Sequence, residues 1–139
     1  MPRRDFYHNA FKEALVKDGW TITHDPLTLL SKIEGGLQTD LGAEKIVTAE
    51  KDLKQIAVEI KSFTTPSALH EFIKSTGQYR AYKLAMNFKK SERILYIAVP
   101  SFAWKILVNK EIVQALIEDT RMKIVLYDPI EKIIKEWKE

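Results

Sequence analysis

The strongest constraint in the sequence is the run Gln55-Ile-Ala-Val-Glu-Ile-Lys-Ser-Phe63, a β-branched apolar stretch that carries Glu59 and Lys61 two residues apart. Alternate side chains of a strand share a face, so Ala57, Glu59 and Lys61 line one side while Ile56, Val58 and Ile60 line the other. A carboxylate and an ammonium then stand together on a strand whose other residues call for burial. Such a pair serves a metal and an anionic substrate, or it is an ordinary cross-strand ion pair on a half-exposed sheet, worth ~0.2–1 kcal/mol.

The rest of the chain sets the frame for that choice. Its 139 residues, 45% of them hydrophobic, make one globular domain, 1–139, with enough apolar material for a core. The 22 Lys and Arg against 19 Asp and Glu leave a net charge of +3, too little to imply a polyanion partner by itself. Contact with nucleic acid would have to come from local patches, Lys89-Lys90 with Arg93 or Arg3-Arg4. The absence of cysteine removes disulfides, thiolate metal sites and cysteine nucleophiles. No apolar run approaches the ~18 residues of a membrane span, and Met1-Pro-Arg-Arg4 lacks the apolar core of a signal peptide. A soluble cytoplasmic protein is expected.

Periodicity predicts a helix over 5–17, with Phe6, Ala10, Phe11, Ala14 and Leu15 on one face and Glu13 beside it, then a strand over 20–24 stopped by Asp25-Pro26. Residues 27–33 read as a strand or short helix running into Gly35-Gly36, and 37–44 have no clear period. A strand over 45–50 and a turn at 51–54 lead into the Gln55–Phe63 strand as a hairpin. Thr64-Thr65-Pro66 should cap a helix reaching about Phe88, with Leu69, Phe72, Ile73 and Leu84 in the core and Ser75, Gln78 and Tyr82 on a more polar stripe. A doubly buried strand over 93–99, short helices over 102–108 and 110–118, a strand over 123–127 and a final arm over 133–137 complete the order. The economical fold is α/β, a mixed sheet flanked by helices.

Acid-x-Lys triplets are cheap: random placement in a chain of this composition gives roughly two or three, and Asp52-x-Lys54, Glu59-x-Lys61 and Glu136-x-Lys138 occur. Only Glu59-x-Lys61 lies inside an apolar strand, where a charge is costly unless paired or bound to a metal. A hard cation such as Mg²⁺ commonly takes one or two carboxylates and keeps several waters. Asp40, between Gly35-Gly36 and the pairing strand, is the preferred second ligand, with Glu44 and Glu50 as competitors and Glu13 able to contribute from the first helix. The chemistry would be phosphodiester hydrolysis: Asp40 and Glu59 hold the ion, and Lys61 orients the water or neutralises the phosphate. His8, His24 and His70 lack zinc-site spacing, no glycine-rich phosphate loop or nucleophile elbow occurs, and Trp20, Trp104 and Trp137 are too dispersed for a stacking platform.

Taken together, Glu13, Asp40 before a hairpin, Glu59-x-Lys61 and Gln78 on the next helix resemble the PD-(D/E)XK nuclease arrangement of archaeal Holliday-junction resolvases and restriction enzymes. The runs Asp40-Leu-Gly-Ala-Glu44, Ala57-Val-Glu-Ile-Lys-Ser-Phe63, Gly77-Gln-Tyr-Arg80 and Tyr127-Asp-Pro129 resemble the XisH family, cyanobacterial proteins named for their part in fdxN element excision during heterocyst development. That resemblance implies a restriction-endonuclease-like fold, a centre of Asp40, Glu59 and Lys61 supported by Glu13 and Gln78, and Mg²⁺ or Mn²⁺ as cofactor. It also implies DNA, a separate XisI-type protein and a site-specific recombinase as partners, with self-association left open. Thr39 stands where the superfamily's name has proline. Two functions follow from it: a metal-dependent endonuclease acting during programmed excision, or a non-catalytic accessory factor that uses the fold as a binding platform.

Overall fold

The computed structural model describes residues 3–47, 49–50, 52–64 and 66–139, with Arg3 and Arg4 described in backbone only. Helix α1 (Arg3–Lys17) leads to strand β1 (Thr21–His24), and β2 (Leu27–Leu30) pairs with β3 (Leu37–Thr39) in a small ladder of its own. Strands β4 (Leu41–Ile46) and β5 (Leu53–Ile60) form an antiparallel hairpin. Helix α2 (Ala68–Phe88) crosses over to β6 (Ile94–Pro100), and α3 (Ser101–Leu107) with α4 (Glu111–Thr120) carries the chain to β7 (Ile124–Asp128). Strand β8 (Ile133–Lys138) closes the edge. The result is a six-stranded sheet in the order β1-β4-β5-β6-β7-β8, in which β5, β6 and β7 run parallel and the other pairings are antiparallel. This is the expected mixed α/β architecture.

Both faces of the sheet are covered. Ile56 and Val58 join Phe11, Leu15, Tyr96, Val125 and Tyr127 under α1, while Ala57 joins Leu95, Ile97, Phe72 and Tyr79 under α2. The alternation of β5 therefore works as the sequence indicates, and β6 is buried on both sides. The two-sided burial explains why β6 reads as an unbroken apolar run.

Several boundaries differ from the expectation. The stretch 37–44 is not irregular: β3 and β4 occupy it, separated by a bend at Asp40, and β4 begins four residues before the expected Lys45 and ends at Ile46. Strand β5 ends at Ile60, so Lys61 to Phe63 lie just beyond it. Helix α2 starts at Ala68 rather than Pro66, with Ser67 preceding it and making no side-chain cap bond. The Thr65 cap, the Lys51 part of the hairpin turn and the Arg3-Arg4 phosphate contact lie outside the described residues. On α2 the assignment of faces is corrected: Ile73 and Leu84 are 42% and 55% exposed, whereas Ser75 and Tyr82 are buried. The helix lays its hydroxyl-bearing stripe on the sheet. Those hydroxyls are satisfied locally, Ser75 Oγ donating to Phe72 O at 2.6 Å and Thr76 Oγ1 to Ile73 O at 2.6 Å.

Arg93 fastens the hairpin rather than reaching for phosphate. Its guanidinium donates to Ile56 O at 2.9 Å, Ala43 O at 3.3 Å and Thr23 Oγ1 at 3.2 Å, tying β1, β4 and β5 at one end of the sheet. Lys89, expected beside it in a basic patch, is ion-paired with Glu34. Replacing Arg93 with methionine keeps the aliphatic stem and leaves these carbonyl groups without their donor; it is expected to cost about 2 kcal/mol, read as a lower urea midpoint with an unchanged slope.

Candidate functional site

The bend between β3 and β4 and the end of β5 bring two carboxylates together. Thr39, 1% exposed, donates its hydroxyl to Leu41 O at 3.3 Å and so spans Asp40, holding the corner that proline would otherwise stiffen. Asp40 N–H donates to Glu59 Oε1 at 3.3 Å, and Asp40 Oδ2 accepts from Ile60 N–H at 2.8 Å. Each carboxyl group is thus held by, or holds, the backbone next to the other. Lys61 Nζ lies 3.6 Å from Glu59 Oε2, with side chains 26% and 13% exposed. The Lys61 backbone is itself pinned, its N–H donating to Ala98 O at 3.0 Å. Phe63 then adopts φ 50° and is buried, its ring 5.7 Å from Phe72, which turns the chain from the sheet toward α2.

The electrostatics of this corner are unusual. Burial, reinforced by the charge of Asp40, pushes the Glu59 carboxyl up to about 7, against the opposing pull of Lys61. Burial, reinforced by the charges of Glu59 and Asp40, pushes the phenol of Tyr82 on α2 up to about 12. A cleft of about 390 Å³ opens above, lined by Asp40, Lys61, Gln78, Lys74, Tyr7 and His8 among others. Gln78 Oε1 is buried there with no hydrogen-bond partner among the described residues. His8 is oriented by Asp25, Nε2 to Oδ1 2.8 Å.

Four of the five expected site residues converge: Asp40, Glu59, Lys61 and Gln78. Glu13 does not; its carboxylate is half-exposed and pairs with Lys132 Nζ at 3.2 Å, and α1 reaches the cleft through Tyr7 and His8 instead. Of the competing acids, Glu44 sits opposite Gln55, four residues and about 13 Å along β5 from Glu59. Glu50 is exposed in the turn beyond β4. Asp40 is the acid that meets Glu59. The sequence does not single out Tyr82 or His8: Tyr82 reads as part of a polar stripe of the helix, and Asp25, the partner of His8, reads only as a turn residue.

Among the described residues no group of three or more His, Asp or Glu side chains is gathered for a metal ion. The donor set is two carboxylates with an orphaned amide oxygen nearby, which fits a hard, largely hydrated cation and not zinc. No helix of the described residues is long and apolar enough to cross a membrane.

The family model for the XisH protein matches residues 1–135. The chain belongs to the XisH family. Its fold is that of an XisH family protein from Nostoc punctiforme PCC 73102, at 36% identity and a TM-score of 0.83 over 97% of this chain and 100% of the other. An fdxN element excision controlling factor protein from Anabaena variabilis is similar to the same degree, with 34% identity and a TM-score of 0.82 over 98% of this chain and 100% of that one. No curated protein sequence matches significantly. Within this XisH chain, the runs around Asp40, Glu59 and Gln78 that carried the resemblance are the ones that meet at the cleft.

Proposed function

We propose that this XisH-family chain is a factor controlling DNA element excision, and that its cleft is a PD-(D/E)XK-like centre hydrolysing DNA phosphodiesters with Mg²⁺ or Mn²⁺. The observation that carries this reading is the Asp40–Glu59 pair, two carboxylates held against each other in a largely buried corner with one ammonium alongside. A fold spends stability to keep such a pair, and a divalent cation is the partner that relieves it. Asp40 and Glu59 would hold the ion. When bound, it supplies an activated water and stabilises charge on the phosphoryl oxygens. Lys61 places a proton donor and positive charge at the scissile phosphate, and Gln78 Oε1 accepts a hydrogen bond from water in the cleft. DNA, an XisI-type protein and a site-specific recombinase are the partners in this reading.

The same geometry supports a second reading. With a net charge of +3 and Lys61 turned onto Glu59, the fold would serve as a cation-stabilised platform whose hold on DNA is completed by its protein partner. Calorimetric titration with Mn²⁺, run beside cleavage of supercoiled and branched DNA, separates the two. Wild-type protein is expected to bind one Mn²⁺ and to nick DNA, and Asp40→Asn to do neither. Mn²⁺ binding without cleavage supports the platform; no Mn²⁺ binding removes both readings of the centre.

A further inference from the structure

His8 is the part of the cleft that the reading above leaves without a task. It stands on α1 beside Tyr7, and both line the cleft together with Asp40, Lys61 and Gln78. The cleft opens past the end of β5, between helices that cover opposite faces of the sheet, so a substrate seated there has α1 on one wall and α2 on the other. At about 390 Å³ it is small, and a phosphodiester group held at Lys61 is also close to the α1 wall. Of the three histidines in the chain, His8 is the one that lines it.

The His8 ring is oriented from behind. Its Nε2 lies 2.8 Å from Oδ1 of Asp25, in the turn between β1 and β2, and the side chain keeps 21% of its surface exposed. An ionised carboxylate only accepts, so the proton of this bond sits on Nε2 and a neutral ring has its lone pair on Nδ1. Lys12 Nζ donates to Asp25 Oδ2 at 2.7 Å, so the carboxylate already has its counter-ion and asks of His8 one N–H and no charge. Lys12 by itself ties α1 to that turn, and an amide of similar reach would make a second tie as well as imidazole does. What imidazole adds is the exchange of protons in the neutral range, and a carboxylate that fixes its tautomer is the arrangement of a general base. The other charged groups lining the cleft are Lys61 beyond β5, Asp40 at the bend, and Glu71 and Lys74 on α2. Lys61, held at Glu59 as an ammonium, has protons to give and no lone pair to take one.

We propose that His8 is the general base of the cleft, with Asp25 fixing its tautomer. This rests on the reading of the cleft as a centre of phosphodiester hydrolysis. Nδ1 takes a proton from the attacking water as the water oxygen bonds to phosphorus. The bond from phosphorus to the departing nucleoside oxygen breaks, and that oxygen takes a proton from the Lys61 ammonium. Solvent then relieves His8 of its proton and returns one to Lys61.

Single-turnover nicking of supercoiled DNA by wild-type, His8→Gln and His8→Ala proteins tests the assignment, beside Mn²⁺ titration, melting temperatures and nitrogen NMR of the histidine rings. Glutamine keeps an amide donor for Asp25 but cannot take a proton, so His8→Gln is expected to hold the wild-type melting temperature and Mn²⁺ affinity while nicking about 10²–10⁴-fold more slowly. His8→Ala should be as slow, and imidazole added to the buffer should restore part of its rate. The spectrum of the cation-free wild type should show neutral His8 with its proton on Nε2. Nicking by His8→Gln at the wild-type rate overturns the proposal and leaves the hydrolytic centre standing. So does a slow His8→Ala that imidazole does not rescue, or a neutral ring protonated on Nδ1. If wild-type protein does not nick DNA, the hydrolytic reading fails first and the assignment falls with it.

Discussion

Lys61→Ala is expected to lower the rate of metal-dependent DNA cleavage by about 10²–10³-fold, the scale seen when one preorganised charge-stabilising group is removed from an active site. The folded structure should be untouched. Lys61 lies past the end of β5, its position set by its own backbone bond to Ala98 O at 3.0 Å, and its ammonium meets the Glu59 carboxylate at 3.6 Å. Removing that ammonium leaves Asp40 and Glu59 more negative as a pair, so Mn²⁺ affinity should hold or rise while cleavage falls. Single-turnover nicking of supercoiled DNA and Mn²⁺ titration read the two quantities separately. Cleavage at the wild-type rate would remove Lys61 from the mechanism. Wild-type excision by Lys61→Ala in cells would place the protein's work in binding.

Glu59→Gln should stabilise the cation-free protein at pH 8 by about 2–3 kcal/mol. The folded-state value near 7 lies above the ordinary 4.5, so ionisation of Glu59 opposes folding. Its contribution to stability is fully present below pH 4.5 and is lost as the pH rises to about 7. Glutamine has nearly the same shape, accepts from Asp40 N–H as Glu59 does and carries no charge to bury. Urea denaturation in EDTA at pH 4.5 and pH 8 should therefore show the two proteins alike at the lower pH and the variant ahead at the higher. Mn²⁺ at 1,000 times its Kd reverses the order, because it adds about 4.1 kcal/mol to the protein that binds it, and Glu59→Gln does not bind it. A variant no more stable than wild type at pH 8 would show that Glu59 ionises there without penalty.

Much of this site is legible in the sequence because a charged pair inside a β-branched run is improbable on energetic grounds. Glu59 and Lys61 stand out for that reason, and the hairpin around them supplies Asp40. The bend at Asp40 hides the strands on either side of it, since β3 and β4 are short and the reversal between them breaks the alternation that each has. Helix α2 misleads in a different way. Ser75, Tyr79 and Tyr82 carry hydroxyls yet are buried, Ser75 and Tyr79 answered by backbone carbonyls, so the stripe facing the sheet looks polar. Ile73 and Leu84 look like core and face solvent. Glu13 was attractive as an acid beside an apolar face. The pitch of α1 over the sheet gives the cleft to Tyr7 and His8 instead, and nothing local to residues 5–17 encodes that pitch.

The apolar layer beneath α1 joins Phe11 and Leu15 with Val125 and Tyr127, and Ile134 and Trp137 pack against it. During synthesis the helix must wait for those strands. The separation is roughly a hundred residues, which at ~5–20 residues per second is on the order of ten seconds. Through that interval the apolar face of α1 has no finished surface to cover, and β5, with Glu59 beside Asp40, lacks its roof. Translation speed and chaperone access should therefore govern the yield of this chain more than its final stability does, and slowing the last third of the message would prolong the vulnerable state.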